Sequence, residues 1–209
     1  MRFPALTPPP HQLLHNRPSL VIGGGGAARS AIFVLHKYFK SPRIYMINRV
    51  RSEVESIITA CKQHGYGDNI VYIGSLAEAE LAEPVGAVVG CVPDFEPREE
   101  GEWTARKCVE VMLAKAGRSS SAGVGKLEDG EQGKAKPKGA VLEMAYHPRL
   151  HTALGGIAAR NGWQVILGTE AMLYQGLEQD RLWTGVEVER MPLREVRGVL
   201  EEAVRAAGH

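Results

Sequence analysis

Cysteine is scarce in this 209-residue chain, and the three present, Cys61, Cys91 and Cys108, are odd in number and show no C-x-x-C spacing. That excludes a disulfide framework and a cysteine-rich zinc module, and it leaves reduced thiols as the expectation. An excess of either charge is missing too, since 25 Lys and Arg stand against 24 Asp and Glu. Such a balance argues against nucleic acid or an anionic membrane as a partner. No run approaches the ~18 uninterrupted apolar residues of a membrane span. The opening "MRFPALTPPPHQLLHNRPS" has no continuous apolar core of a secretory leader, so a cytoplasmic protein is expected. Two histidine pairs are spaced four apart, His11 with His15 and His147 with His151, but prolines adjoin or interrupt both and no H-E-x-x-H is present. No metal site is expected.

What the chain does have is apolar content enough for a sizeable core, 44% of residues, arranged in short runs. Residues 1–18 carry five prolines and read as an extended tail. From Leu20 onward, β-rich runs alternate with helix-length segments: "LVIGG", "RIYMINR", "NIVYIG", "GAVVGCVP", "AVLEMAY" and "WQVILG" are each followed by a helical pattern. This pattern predicts parallel strands joined by helical crossovers, giving an α/β, doubly wound, mostly parallel sheet with helices on both faces over residues 19–209. Residues 117–139, "GRSSSAGVGKLEDGEQGKAKPKG", hold too few aliphatic side chains to offset their ordering entropy, so a disordered insertion is expected there. At the end, Pro192 and the apolar positions Val196, Val199, Leu200 and Ala203 predict an amphipathic helix covering the sheet.

Four consecutive glycines interrupt the first strand-to-helix junction, "VIGGGGAARS". Gly23, Gly25 and Ala28 fit the spacing G-x-G-x-x-G/A, in which the first residue permits a tight turn, the second admits a pyrophosphate and the third lets helix and strand pack closely. Free N–H groups of Gly25, Gly26 and Ala27 at the helix start would face the anion. The alternative is an ordinary glycine turn. At the end of the second strand, where a carboxylate would bind the ribose diol of NAD, the chain reads "INRVRSE". Asn48, Arg49 and Arg51 suit a 2′-phosphate instead, which favours NADP with NAD as the alternative cofactor, against the plainer reading of solvated surface arginines.

These residues resemble the C-terminal nucleotide-binding domain of the shikimate/quinate 5-dehydrogenases, a Rossmann-like fold. "VIGGGGAARSAIFVL" is similar to that family's glycine turn, and "INRV" to its Asn-Arg-Thr cluster, with Val50 in place of Thr. "VVGCVPD" resembles the strand that ends beside the nicotinamide, which implies Val92 as a cofactor contact. "LEMAYHP" is similar to the segment whose Tyr lies near the substrate, here Tyr146. "GTEAMLYQGLEQDRLWTG" resembles the family's Met-Leu-x-x-Gln segment, one residue shorter, and implies Gln175 at the substrate and Met172 by the nicotinamide.

Read without the resemblance, Met172, Leu173 and Trp183 are core and Gln175 is a solvent amide. In the family, a preceding domain supplies the groups that grip the substrate carboxylate and handle the hydroxyl proton. The residues before Leu20 cannot supply them, so this chain is expected to hold the cofactor and no catalytic residue of its own. Lys107 and Lys115 read as solvated helix lysines, and Asp94 as either an amide-orienting group or a turn residue. Three functions stay open: a dehydrogenase fragment acting on shikimate or quinate with a missing substrate domain or partner chain; a non-enzymatic module of a quinate-pathway repressor, in which case the location is nuclear; and an unrelated nucleotide sensor.

Overall fold

The computed structural model describes residues 14–115, 137–147 and 149–207. Most of the proline-rich tail and residues 117–136 of the expected insertion lie outside them. Among the described residues are six strands of four residues each: β1 (Ser19–Ile22), β2 (Ile44–Ile47), β3 (Ile70–Ile73), β4 (Ala87–Gly90), β5 (Ala140–Glu143) and β6 (Gln164–Leu167). All pair in parallel, in the order β3-β2-β1-β4-β5-β6. The expected doubly wound α/β sheet is therefore present.

Central strands β1 and β2 are buried along their whole length, as continuous apolar runs demand when helices cover both faces. Alternate side chains divide between two cores. Leu20, Ile22, Tyr45 and Ile47 join Met112, Leu113 and Trp163 on one face, while Val21, Ile44 and Met46 join Ile32, Leu35, Val54 and Ile57 on the other. The second core lies under α1 (Gly26–Lys37) and α2 (Arg51–Gln63), and the first under α3 (Leu76–Leu81), α4 (Glu100–Ala114) and α5 (Ala153–Arg160).

Local chemistry fixes where these helices begin and end. Ser75 caps α3 by accepting from the Glu78 N–H, Thr152 caps α5 by accepting from Gly155, and Glu99 with Glu102 forms a reciprocal capping box at the start of α4. Lys115 follows α4 and directs its ammonium onto the end of α3, donating to the carbonyls of Ala79 (2.5 Å), Glu80 (2.9 Å) and Ala82. It is a structural clamp, not the solvated lysine the sequence suggests.

A long helix, α6 (Gly168–Thr184), is stopped by the left-handed Gly185, and α7 (Leu193–Ala207) touches it. The apolar stripe of α7 does not cover the sheet as expected: Val196 and Val199 stay exposed, and Arg197 pairs with Glu170 of α6. Among the described residues no helix is long and apolar enough to cross a membrane.

Candidate functional site: a cleft at the switch point of the sheet

Strand order reverses between β1 and β4, where Ile22 and Gly90 lie side by side. Crossovers leave these strands in opposite directions, so their carboxyl ends open a crevice, the usual ligand position of such sheets. A cleft of about 470 Å³ occupies it, lined at one end by Gly25, Asn48, Arg49 and Glu53 and at the other by Cys91, Val92, Asp94 and Glu143.

The glycine turn is held by main-chain bonds on both sides. Gly23 N–H donates to the Ile47 carbonyl at 2.8 Å, and Cys91 N–H donates to the Ile22 carbonyl at 2.8 Å. Gly23 has φ +110°, and a Cβ there would lie 2.9 Å from the Cys91 carbonyl oxygen. At Gly24 a Cβ would meet the Asn48 amide and the Glu53 carboxylate at 2.9 Å. Past this tight pair the backbone opens, with nothing within 4 Å of a Cβ on Gly25 or Gly26. Gly25 is the N-cap of α1, offers no capping side chain, and is followed by no acidic residue in the first turn. An exposed, uncapped helix start of this kind presents its N–H groups to an anion. Ala28, one turn on, is fully buried and lets α1 pack on the sheet.

Asn48 and Arg49 leave β2 beside this turn and also border a smaller cavity of about 260 Å³ with Tyr72, Gly74, Thr104 and Cys108. Both are engaged by carboxylates that sequence reasoning missed. Asn48 Nδ2 donates to Glu53 Oε2 at 2.7 Å and to the Val50 carbonyl at 2.9 Å, while Arg49 Nη1 lies 2.5 Å from Glu102 Oε1. The N–H groups of Arg98 and Glu99 hold the Glu102 carboxyl below its ordinary pKa, and Arg49 adds to the effect. Arg51 turns along α2 to Glu55 at 2.7 Å and sits over the Tyr72 ring, 5.6 Å from its centroid, outside the lining of both cavities.

The other end of the cleft is built on β4 and β5. Val92 is partly exposed to it, and the Cys91 thiol is pushed up to about 12 by burial, with Glu143 contributing. Cys91 stays a neutral thiol at physiological pH. Asp94 is buried and committed: it accepts from the Ala153 N–H at 2.9 Å and from Arg149 at 3.1 Å, which ties the start of α5 to the end of β4. Glu143 closes β5 and is 2% exposed, accepting from the Ala145 N–H at 3.0 Å and from Thr152 Oγ1 at 2.9 Å. A carboxylate ending the apolar run "AVLE" was the available signal for it.

Burial, reinforced by the Asp94 charge, raises the Glu143 pKa above its ordinary 4.5, against the pull of its two hydrogen bonds and Arg106. The folded chain thus holds this proton more tightly than the unfolded one, and the stability it gives is full below about 4.5 and lost as pH rises through the raised value. Wild type should lose stability relative to Glu143→Gln as pH increases through that range, measured by urea unfolding at a series of pH values; parallel curves for the two proteins would contradict this.

The residues implied at the substrate end are placed apart from the cleft lining. Tyr146 is exposed at 41% on the β5–α5 connection. Met172 is half-buried and Gln175 exposed on α6, three residues apart and so on one face. Trp183 is exposed at 76%, not core. All three cysteines are free, and no group of three or more metal-ligating side chains occurs among the described residues.

No protein-family model matches the chain. It is 39% identical to a quinate dehydrogenase of Emericella nidulans over 84% of this chain and 49% of that protein. It is 30% identical to the pentafunctional AROM polypeptide of Schizosaccharomyces japonicus over 84% of this chain and 10% of that protein. Among solved structures, the dehydroquinate dehydratase and shikimate dehydrogenase of S. pombe AroM superposes with a TM-score of 0.66 at 28% identity, covering 90% of this chain and 30% of that one. At 21% identity the shikimate 5-dehydrogenase of Thermus thermophilus, in complex with NADP(H) and shikimate, shares the fold with a TM-score of 0.55 over 92% of this chain and 56% of that one. The chain thus spans about half the length of the quinate dehydrogenase it matches. Over that span it belongs to the shikimate/quinate dehydrogenase family.

Proposed function

We propose that the chain is the NADP-binding domain of a shikimate/quinate 5-dehydrogenase-like oxidoreductase, serving the alcohol/ketone redox of an alicyclic hydroxy acid. The observation that carries this reading is the open, uncapped glycine turn at the switch point, flanked by Asn48 and Arg49 in one cleft. These residues fit a dinucleotide: the Gly25, Gly26 and Ala27 N–H groups take its diphosphate, and Arg49 with Asn48 takes an adenosine 2′-phosphate. Arg51, outside the cleft lining and paired with Glu55, contributes less. Bound there, NADP supplies or accepts the hydride of the reaction. Val92 and the Cys91 neighbourhood wall the nicotinamide end and exclude water, and the Glu143–Thr152 and Asp94–Ala153 bonds hold that wall in place.

Met172, Tyr146 and Gln175 are the side chains assigned to the nicotinamide and substrate, on the strength of the family resemblance. None of Cys91, Asp94 and Glu143 is assigned to the hydroxyl proton, because Cys91 is protonated and both carboxylates already accept hydrogen bonds from the chain. A substrate-binding domain, in the same polypeptide or in a partner chain, supplies that base. The same paired carboxylates also suit the regulatory alternative, a repressor module that binds a pathway metabolite without turnover.

Calorimetric titration separates these outcomes. NADP should bind one per chain, and quinate or shikimate should then bind to the NADP complex. Absence of nucleotide binding would overturn the dehydrogenase reading, and binding of the acid alone would favour the regulatory one.

A further inference from the structure

The cleft carries its own competitor for the cofactor phosphate. Arg49 is the only arginine that lines both described cavities, and its guanidinium is already paired to Glu102 Oε1 at 2.5 Å. Glu102 is not a swinging surface side chain. Its other oxygen accepts from the N–H of Arg98 at 2.8 Å and of Glu99 at 3.3 Å, as the third residue of the α4 capping box. The carboxylate is therefore pinned at the cleft wall whether or not Arg49 stays with it. Asn48, the neighbouring phosphate donor, is likewise held by Glu53.

With the cleft taken as the dinucleotide site proposed above, a reading on which this step depends, we infer that Glu102 sets the NADP-to-NAD preference by competing with the 2′-phosphate for Arg49. A nucleotide lacking that phosphate leaves the ion pair intact, and its ribose hydroxyls can donate to the carboxylate. A phosphorylated one must draw the guanidinium off Glu102 before its phosphate can pair with it, and the pinned carboxylate stays in reach to take the arginine back. The pair is solvent-exposed on the Arg49 side, so breaking it costs little. Glu102 thus tempers NADP binding without forbidding it.

Glu102→Gln tests this, because glutamine serves in a capping box as glutamate does. NADP and NAD are titrated calorimetrically into wild type, Glu102→Gln, Arg49→Met and the double variant. Glu102→Gln should tighten NADP by roughly twofold to fivefold, the worth of one exposed ion pair, and leave NAD nearly unchanged. In the Arg49→Met background the same change should alter NADP affinity by less than about twofold, since the competition acts through Arg49. If wild type binds both nucleotides and Glu102→Gln leaves their ratio unchanged, the assignment of Glu102 falls while the nucleotide reading stands. An equal gain with and without Arg49 would also overturn it, as a general charge effect. Failure of wild type to bind either nucleotide would remove the reading and the inference together.

Discussion

Gly23→Ala should destabilise the chain by about 3 kcal/mol and eliminate nucleotide binding, the largest effect expected of any single methyl group in the cleft. Two causes add. The backbone at Gly23 has φ +110°, a region closed to side chains, and the new Cβ would meet the Cys91 carbonyl oxygen at 2.9 Å and Val92 Cγ1 at 3.0 Å. Neither neighbour can give way easily, because the Cys91 N–H is bonded to Ile22 and the Gly23 N–H to Ile47, so the turn is fixed from β2 and β4 together. Relief must come from displacing the turn, which moves the start of α1 out of register with Asn48 and Arg49. Urea unfolding measures the first effect and NADP titration the second. Gly26→Ala is the comparator: its Cβ would meet nothing within 4 Å, and helix propensity favours alanine by roughly 1 kcal/mol. If the two variants unfold alike, the turn is not strained in the way described.

Arg49→Ala should weaken NADP by roughly 30-fold and NAD by less than about threefold, the difference of about 2 kcal/mol being that of charge-assisted hydrogen bonds to one phosphate. Fold stability should hardly change, because the lost Glu102 contact is an exposed ion pair worth about 0.2–1 kcal/mol. Arg51→Ala should weaken NADP less than Arg49→Ala does, since Arg51 is turned to Glu55 and Tyr72 and lines neither cavity. Equal losses of NADP and NAD on removing Arg49 would place the guanidinium at the diphosphate or the adenine ring, not at the 2′-phosphate.

Features written locally in the chain were legible in the sequence. Each strand is an apolar run flanked by breakers, and the glycine turn follows the first of them at a spacing that its chemistry requires. The position of Arg49 beside that turn could also be anticipated, because β2 lies next to β1 in any sheet wound this way. The contacts made across the fold could not. Glu102 comes from α4 and stands 53 residues from the arginine it pairs with, and Asp94 is 59 residues from the Ala153 N–H that donates to it. Their meeting is a product of packing, to which neither spacing nor periodicity points.

The amphipathic pattern of α7 shows the same limit. Its period reveals that one face is apolar but not what that face touches, and in the structure the helix contacts α6 with Val196 and Val199 exposed. Asp94 illustrates a third case. Its place after β4 left open an amide-orienting group or a turn residue, and its two partners, Ala153 and Arg149, make it a tie between β4 and α5.

Binding of a dinucleotide in one cleft across the switch point between β1 and β4, as proposed above, is read out by following the backbone amide resonances of the isotopically labelled chain while NADP is added. The signals of Gly24 to Ala28, Asn48 to Arg51, Cys91, Val92 and Asp94 should shift together and saturate with one affinity, while those of α7 stay in place. Shifts centred elsewhere, or none at concentrations that saturate a known dinucleotide-binding protein, would contradict it.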